Sequence, residues 1–232
     1  EECRLDEFSG YIKDTDNLKH LLRVFPVVAT TCISASRVGG PEPHFDMTVM
    51  DEASQCNTAV GLVPVIRGKS LMMVGDPQQL NPVILLDEVS NFRLRRKYGV
   101  PEEYDYRKNS LYKAFLACDS VSDEVLLRYH YRCSRQIIDF NNKKYYNSKL
   151  LIRSESRLPQ SLVYMDVQDG RTNHKNVAPA EVEAILRYAM ENKDKSIGVI
   201  TPFVNQKHAI EEQLARHGLQ NVTCGTVHAF QG

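Results

Sequence analysis

Two acids side by side at the end of an apolar run are the first residues of this chain that could do chemistry. Met47-Thr48-Val49-Met50 leads into Asp51-Glu52-Ala53-Ser54-Gln55. If the run is a strand of an open parallel sheet, its carboxyl end lies where such sheets bind ligands. Adjacent carboxylates repel and are costly to desolvate, so they favour a cation. Mg²⁺, held by one carboxylate and by phosphate oxygens, suits them, and the other acid can then polarise a water. This is Walker B logic, although acid pairs also simply end strands. A second apolar run, Leu71–Val74, leads into Gly75-Asp76-Pro77-Gln78-Gln79-Leu80-Asn81-Pro82. Gly and Pro set a tight loop, and a neutral amide there can bond a phosphate oxygen or an attacking water without adding charge. In Leu126-Leu127-Arg128-Tyr129-His130-Tyr131-Arg132-Cys133-Ser134 a third run ends in aromatics and a guanidinium. Arg132 suits phosphate and Tyr131 can stack on a base; the plain alternative is a packed tyrosine and a paired arginine. The last polar cluster, Cys224–Gly232, implies no chemistry by itself.

Something must hold these clusters at strand ends. Apolar runs predict strands at Val24–Thr30, Met47–Asp51, Leu71–Val74, Glu124–Leu127, Leu162–Met165, Ile197–Ile200 and Val222–Cys224. Helical spacing predicts helices over 54–66, 109–118, 134–146, 179–192 and 204–217. Alternating strand and helix means an α/β fold whose parallel sheet is covered on both faces. The stretch 85–109 breaks the rhythm and reads as an insertion or a mobile loop. A boundary falls near 119–126, giving units of 1–123 and 124–232.

Composition bounds the rest. The 232 residues are 42% hydrophobic and 25% charged, which fits a globular chain with a core of its own. Charge is balanced at 29 basic against 29 acidic residues, which argues against simple coating of nucleic acid. The balance is uneven along the chain. Residues 1–125 hold 14 Lys+Arg against 19 Asp+Glu, and residues 126–232 hold 15 against 10. The basic stretch 128–157, from Arg128 to Arg157, leaves room for one basic groove, or is a solvated face. No apolar run is long enough for a membrane helix, so no membrane partner is expected. The six cysteines form no CxxC pair and no zinc spacing; they read as reduced thiols, buried as small hydrophobes, with the cytoplasm as default compartment and the nucleus still open.

Taken in order, these segments resemble the superfamily 1 helicases, in the branch of the nonsense-mediated-decay helicase and senataxin-like enzymes. Asp51-Glu52-Ala53-Ser54-Gln55 is similar to that family's motif II and Gly75–Leu80 with Pro82 to its motif III. Tyr131-Arg132 with Phe140 and Tyr145-Tyr146, Ile200-Thr201-Pro202-Phe203 with Gln206, Ala29-Thr30-Thr31, and Gly225–Gly232 resemble further segments. The resemblance implies two RecA-like lobes of the P-loop NTPase class, both incomplete here, with ATP and Mg²⁺ as cofactors and single-stranded DNA or RNA as partner. It implies that Asp51 binds the magnesium ion, Glu52 is the general base, Gln79 senses the γ-phosphate, Arg132 acts as an arginine finger and Tyr131 lies near the adenine. It places Thr31, Thr201, Phe203, Gln206 and Thr226 along the nucleic-acid path. The alternative is a RecA-like nucleic-acid-binding or regulatory module that hydrolyses nothing.

One element of that pattern is missing from these residues. A phosphate cradle needs GxxxxGK[ST] opening a helix. Gly68-Lys69-Ser70 is preceded at the required spacing by Val63, and an apolar strand pattern follows it. It is rejected as a cradle. The expectation is therefore an internal segment of a longer helicase, whose remaining motifs lie upstream and downstream. Cys133 and Arg135 also depart from the residues usual after Tyr-Arg.

Overall fold

A computed structural model describes residues 2–155 and 160–230, the side chains of Glu2, Cys3 and Leu5 excepted. Arg157, Gln231 and Gly232, named above, lie outside the described residues. The chain divides into two units, Glu1–Leu126 and Leu127–Gly232.

The first unit begins with two helices, α1 (Glu2–Lys13) and α2 (Thr15–Val24). Asp14 separates them because its carboxylate accepts from the Asp16 and Asn17 amides at 3.0 Å each, an N-cap for α2. Strand β1 (Phe45–Met50) pairs in parallel with β2 (Gly68–Met73), in register from Phe45↔Gly68 to Met50↔Met73. Between them runs α3 (Thr58–Val65), capped by Asn57 Oδ1 accepting from the Val60 amide at 2.9 Å. Two more helices follow, α4 (Glu88–Tyr98) and α5 (Leu111–Cys118). Met50, Ala53 and Leu111 form the buried centre, with Leu71, Met73 and Phe115 packed against it. The other side of the strand pair carries Met47, Val49 and Met72, all more than half exposed. Among the described residues the sheet is therefore covered on one face, where cover on both is expected.

The second unit holds two parallel pairs. Strand β3 (Tyr129–His130) pairs with β4 (Leu151–Ile152), with α6 (Arg135–Tyr145) between them. Helices α7 (Pro179–Glu191) and α8 (Val204–Arg216) pack on the pair β5 (Ile197–Thr201) and β6 (Val222–Thr226). Val182, Ala189, Ile210, Leu214 and Leu219 are the buried core of this unit. Val182 and Ala189 on α7 and Ile210 and Leu214 on α8 follow helical spacing, as the sequence pattern predicts.

Three expected strands are absent. Val24 ends α2, and Phe25 closes that helix by donating its amide to the Leu21 carbonyl. Residues 25–30, 124–127 and 162–165 are irregular and largely exposed, Val27 at 83% and Tyr164 at 88%. Apolar, β-prone side chains make a strand only when a neighbouring strand takes up the backbone groups, and no described segment pairs with these. The stretch 85–109 is also not a plain loop. Asp87 accepts from the Ser90 amide at 2.9 Å and starts α4. Asn91 and Arg95 on α4 then hold the buried Asp105 carboxylate at 2.9 and 2.6 Å. Gly68, Lys69 and Ser70 open β2, and the Lys69 ammonium lies 2.8 Å from Asp46. Strand geometry and a carboxylate partner keep this lysine out of any phosphate cradle.

Candidate nucleotide and nucleic-acid site

In the first unit the two strand ends come together. Beyond Met50, the Ala53 amide donates to the Val74 carbonyl at 2.9 Å, so the turn after β1 is pinned to the end of β2. Ser54, fully buried, carries the link further: the Asp76 amide donates to its Oγ at 3.1 Å. Gly75 is required at this crossing, because a Cβ there would stand 2.9 Å from the Ser54 nitrogen. Asp76 in turn shapes the second loop. Its Oδ1 accepts from the Gln78 amide at 2.9 Å and its Oδ2 from Gln79 Nε2 at 3.1 Å. The neutral amide of Gln79 is thus aimed by Asp76, which is itself held by the turn that carries the two acids.

Glu52 sits in that turn with φ 52° and ψ 36°, the left-handed region. A residue with a Cβ adopts it at a cost of roughly 1 kcal/mol or more, and such strain collects at functional sites. The conformation is held from three sides. The Glu52 amide donates to Asp51 Oδ1 at 3.0 Å, its carbonyl accepts the Gln55 amide at 2.9 Å, and Gln55 Nε2 donates to its carboxylate at 2.8 Å. Both acids stay exposed. Asp51 keeps a second oxygen with no partner among the described residues, which suits a hydrated Mg²⁺ held by a single carboxylate. No three His, Cys, Asp or Glu side chains gather as a metal site among the described residues, so any ion here relies on phosphate and water for its remaining ligands. Thr31 lies elsewhere in this unit; its Oγ1 accepts the Ser34 amide at 3.2 Å, just before the turn at Ser34–Arg37.

In the second unit Tyr131 and Arg132 follow β3 directly and are exposed, Tyr131 at 68%. Tyr131 stacks on Tyr129 at 6.4 Å and 30°, and the Arg153 guanidinium lies 5.7 Å from the Tyr129 ring. His130 Nε2 accepts the Cys133 amide at 2.8 Å and fixes the loop between β3 and α6. Arg132 has no ion-pair partner among the described residues. Thr201 and Thr226 are register partners at the carboxyl ends of β5 and β6. Thr201 is buried and its Oγ1 accepts the Phe203 amide at 3.3 Å, while the Phe203 ring is 44% exposed.

Gln206 is buried like Thr201 but differs in its bonds: its Oε1 accepts the Ala178 amide at 2.8 Å and its Nε2 donates to Glu181 at 3.3 Å. It caps α7, a helix with no side-chain cap of its own. The sequence reading also gave no separate role to Ser54, Asp76 or Phe230. The Phe230 ring lies over the glycines of both strands; a Cβ on Gly225 would come within 2.7 Å of it and one on Gly198 within 3.1 Å. A glycine inside each strand pattern was the available signal.

Residues 107–232 match an AAA domain, and residues 4–87 match a second AAA-domain description. Among curated relatives, the chain is 29% identical to the DNA replication ATP-dependent helicase/nuclease DNA2 of Gallus gallus, over all of this chain and 22% of that protein. It is 26% identical to the RNA helicase Mov10l1 of Mus musculus, again over all of this chain and 22% of the relative. An uncharacterized ATP-dependent helicase, the MG140 homolog of Mycoplasma pneumoniae, is 30% identical over 89% of this chain and 19% of its own length. The chain therefore spans about a fifth of these relatives. It belongs to the AAA-domain family, in the superfamily 1 helicase branch that includes senataxin-like proteins.

Proposed function

We propose that this chain is the working centre of an ATP-dependent helicase that couples hydrolysis to movement along single-stranded DNA or RNA. The observation that carries the reading is the joined pair of strand ends. The acids Asp51 and Glu52 share one hydrogen-bonded turn with the loop that aims Gln79, through Ser54 and Asp76. Asp51 would hold Mg²⁺, which supplies charge to the phosphates of ATP. Glu52, held by Gln55, would accept a proton from the attacking water. Gln79 would report the state of the γ-phosphate to the rest of the fold. Arg132 would add positive charge to the transferring group, and Tyr131 would lie near the base. Thr31, Thr201, Phe203 and Thr226 would line the path of the strand. Gln206 would act on that path indirectly, through the start of α7.

The test is hydrolysis by the full-length protein, with and without single-stranded DNA or RNA, beside its Glu52→Gln form. The expected result is strand-stimulated hydrolysis that falls about 10²- to 10⁴-fold on substitution, the range for a lost general base. Silence under every condition overturns the motor reading. The 232 residues contain no phosphate cradle of their own, so this segment alone should hydrolyse ATP poorly.

A further inference from the structure

Cys32 and Cys56 are brought together from distant parts of the first unit. The Cys56 thiol points at Cys32, with the two sulfurs 3.9 Å apart. Both are partly buried, and both pack on the core of Met50, Ala53 and Leu111. No other described thiols meet in this way. Cys118 is exposed on the last turn of α5, Cys224 lies on β6 beside the Lys207 carbonyl, and Cys133 stands between β3 and α6. Each of the two contacting cysteines adjoins a loop of interest. Cys32 follows Thr31, and Cys56 follows the turn that holds Glu52 and Gln55.

We propose that Cys32 and Cys56 form an oxidative modification site, a dithiol that a low-molecular-weight disulfide closes into a bond tying the Thr31 loop to the Glu52 turn. The sulfurs need to approach from 3.9 Å to a bond length of about 2.05 Å. Burial, and then the nearby Cys32, push the Cys56 thiol up to about 12. One of the two thiols, as its thiolate, attacks one sulfur of the oxidant and expels the other as a thiolate, leaving a mixed disulfide. The second protein thiol gives up its proton to solvent, attacks the protein-borne sulfur of that mixed disulfide and releases the second small thiol. Two protein thiols are oxidised and one small disulfide is reduced to two thiols.

The experiment uses the purified chain and oxidised glutathione, read by intact mass and by peptide mapping without reduction. The expected product has lost two hydrogens and yields one crosslinked peptide pair joining Cys32 to Cys56, which dithiothreitol separates. Cys32→Ser and Cys56→Ser should each abolish that crosslink. Glutathione adducts without the crosslink, or a crosslink between other cysteines in its place, overturn the proposal. The wild-type map decides the matter even if a variant folds poorly. The readout needs no hydrolysis, so it stands or falls apart from the helicase reading.

Discussion

The ends of the two longest strand pairs are built on different principles. After β1 and β2 the loops are polar and bonded to each other, with exposed acids and the Gln79 amide bonded to Asp76. After β5 and β6 the strands end in two threonines, and an aromatic ring covers the glycines behind them. The first arrangement holds charge at fixed positions and accepts strain at Glu52 to do so. The second presents the half-exposed Thr226 and an aromatic ring with little charge, while Thr201 is buried and bonded to the Phe203 amide. The difference suits a division in which one end handles phosphate and metal while the other meets a strand. If that holds, substitutions at the two ends should fail in different ways. Glu52→Gln in the full-length protein should lower turnover with and without a strand alike, and strand affinity should change little. Loss of affinity with turnover preserved would erase the distinction.

The acid response of the first unit rests on its carboxylates. Asp46, Asp87, Glu102, Asp105 and Asp119, all in the first unit, are held below the ordinary carboxylate range. Asp105 is the buried one. Burial alone would raise it, but the Arg107 amide, the Asn91 side chain and the Arg95 guanidinium together outweigh that and lower it. A depressed folded value means stability that is present above the unfolded value of about 3.9 and is lost as pH falls through the folded one. Breaking the buried pair by Asp105→Ala should cost about 3 kcal/mol at neutral pH. The same substitution should flatten the acid limb of first-unit stability below about pH 4. Denaturant unfolding across pH checks both; an unchanged acid limb would assign that limb to other groups.

The strand ends were legible because their chemistry is local. Asp51, Glu52, Gly75, Asp76 and Gln79 are contiguous with the apolar runs that become β1 and β2, and sequence order alone puts those runs next to each other. The helices α7 and α8 were legible for the same reason, since spacing within one segment fixes the buried face. What failed depended on partners. Residues 24–30, 124–127 and 162–165 have the composition of strands, but composition does not supply the neighbour that takes up their amides. Helix α4 was hidden in charged residues because its buried face is polar: Asn91 and Arg95 point at Asp105, a contact that no apolar period announces. The bond of Gln206 to the start of α7 likewise comes from a contact 28 positions away.

The two bonds of Gln206 separate it from its neighbours in a measurable way. Gln206→Leu leaves the Ala178 amide without its acceptor and Glu181 without its donor. An orphaned buried donor typically costs about 2 kcal/mol, so the unfolding midpoint of the second unit should fall clearly. Thr226→Val, on a half-exposed strand end, should move it much less. Equal and small shifts would return Gln206 to the role of a surface contact.

The smallest expected effect sharpens the comparison most. Phe203 is 44% exposed and directly precedes α8. If the β5–β6 end meets a strand, its ring is available to stack on a base, an interaction worth about 1 kcal/mol or more per base. Phe203→Ala should then raise the strand concentration for half-maximal stimulation roughly fivefold or more, with turnover at saturating strand nearly unchanged. Phe203→Tyr should restore the wild-type value, since its ring stacks equally well. A uniform fall in turnover at every strand concentration would instead mean that the ring holds the start of α8 in place, and the division between the two ends would lose its support.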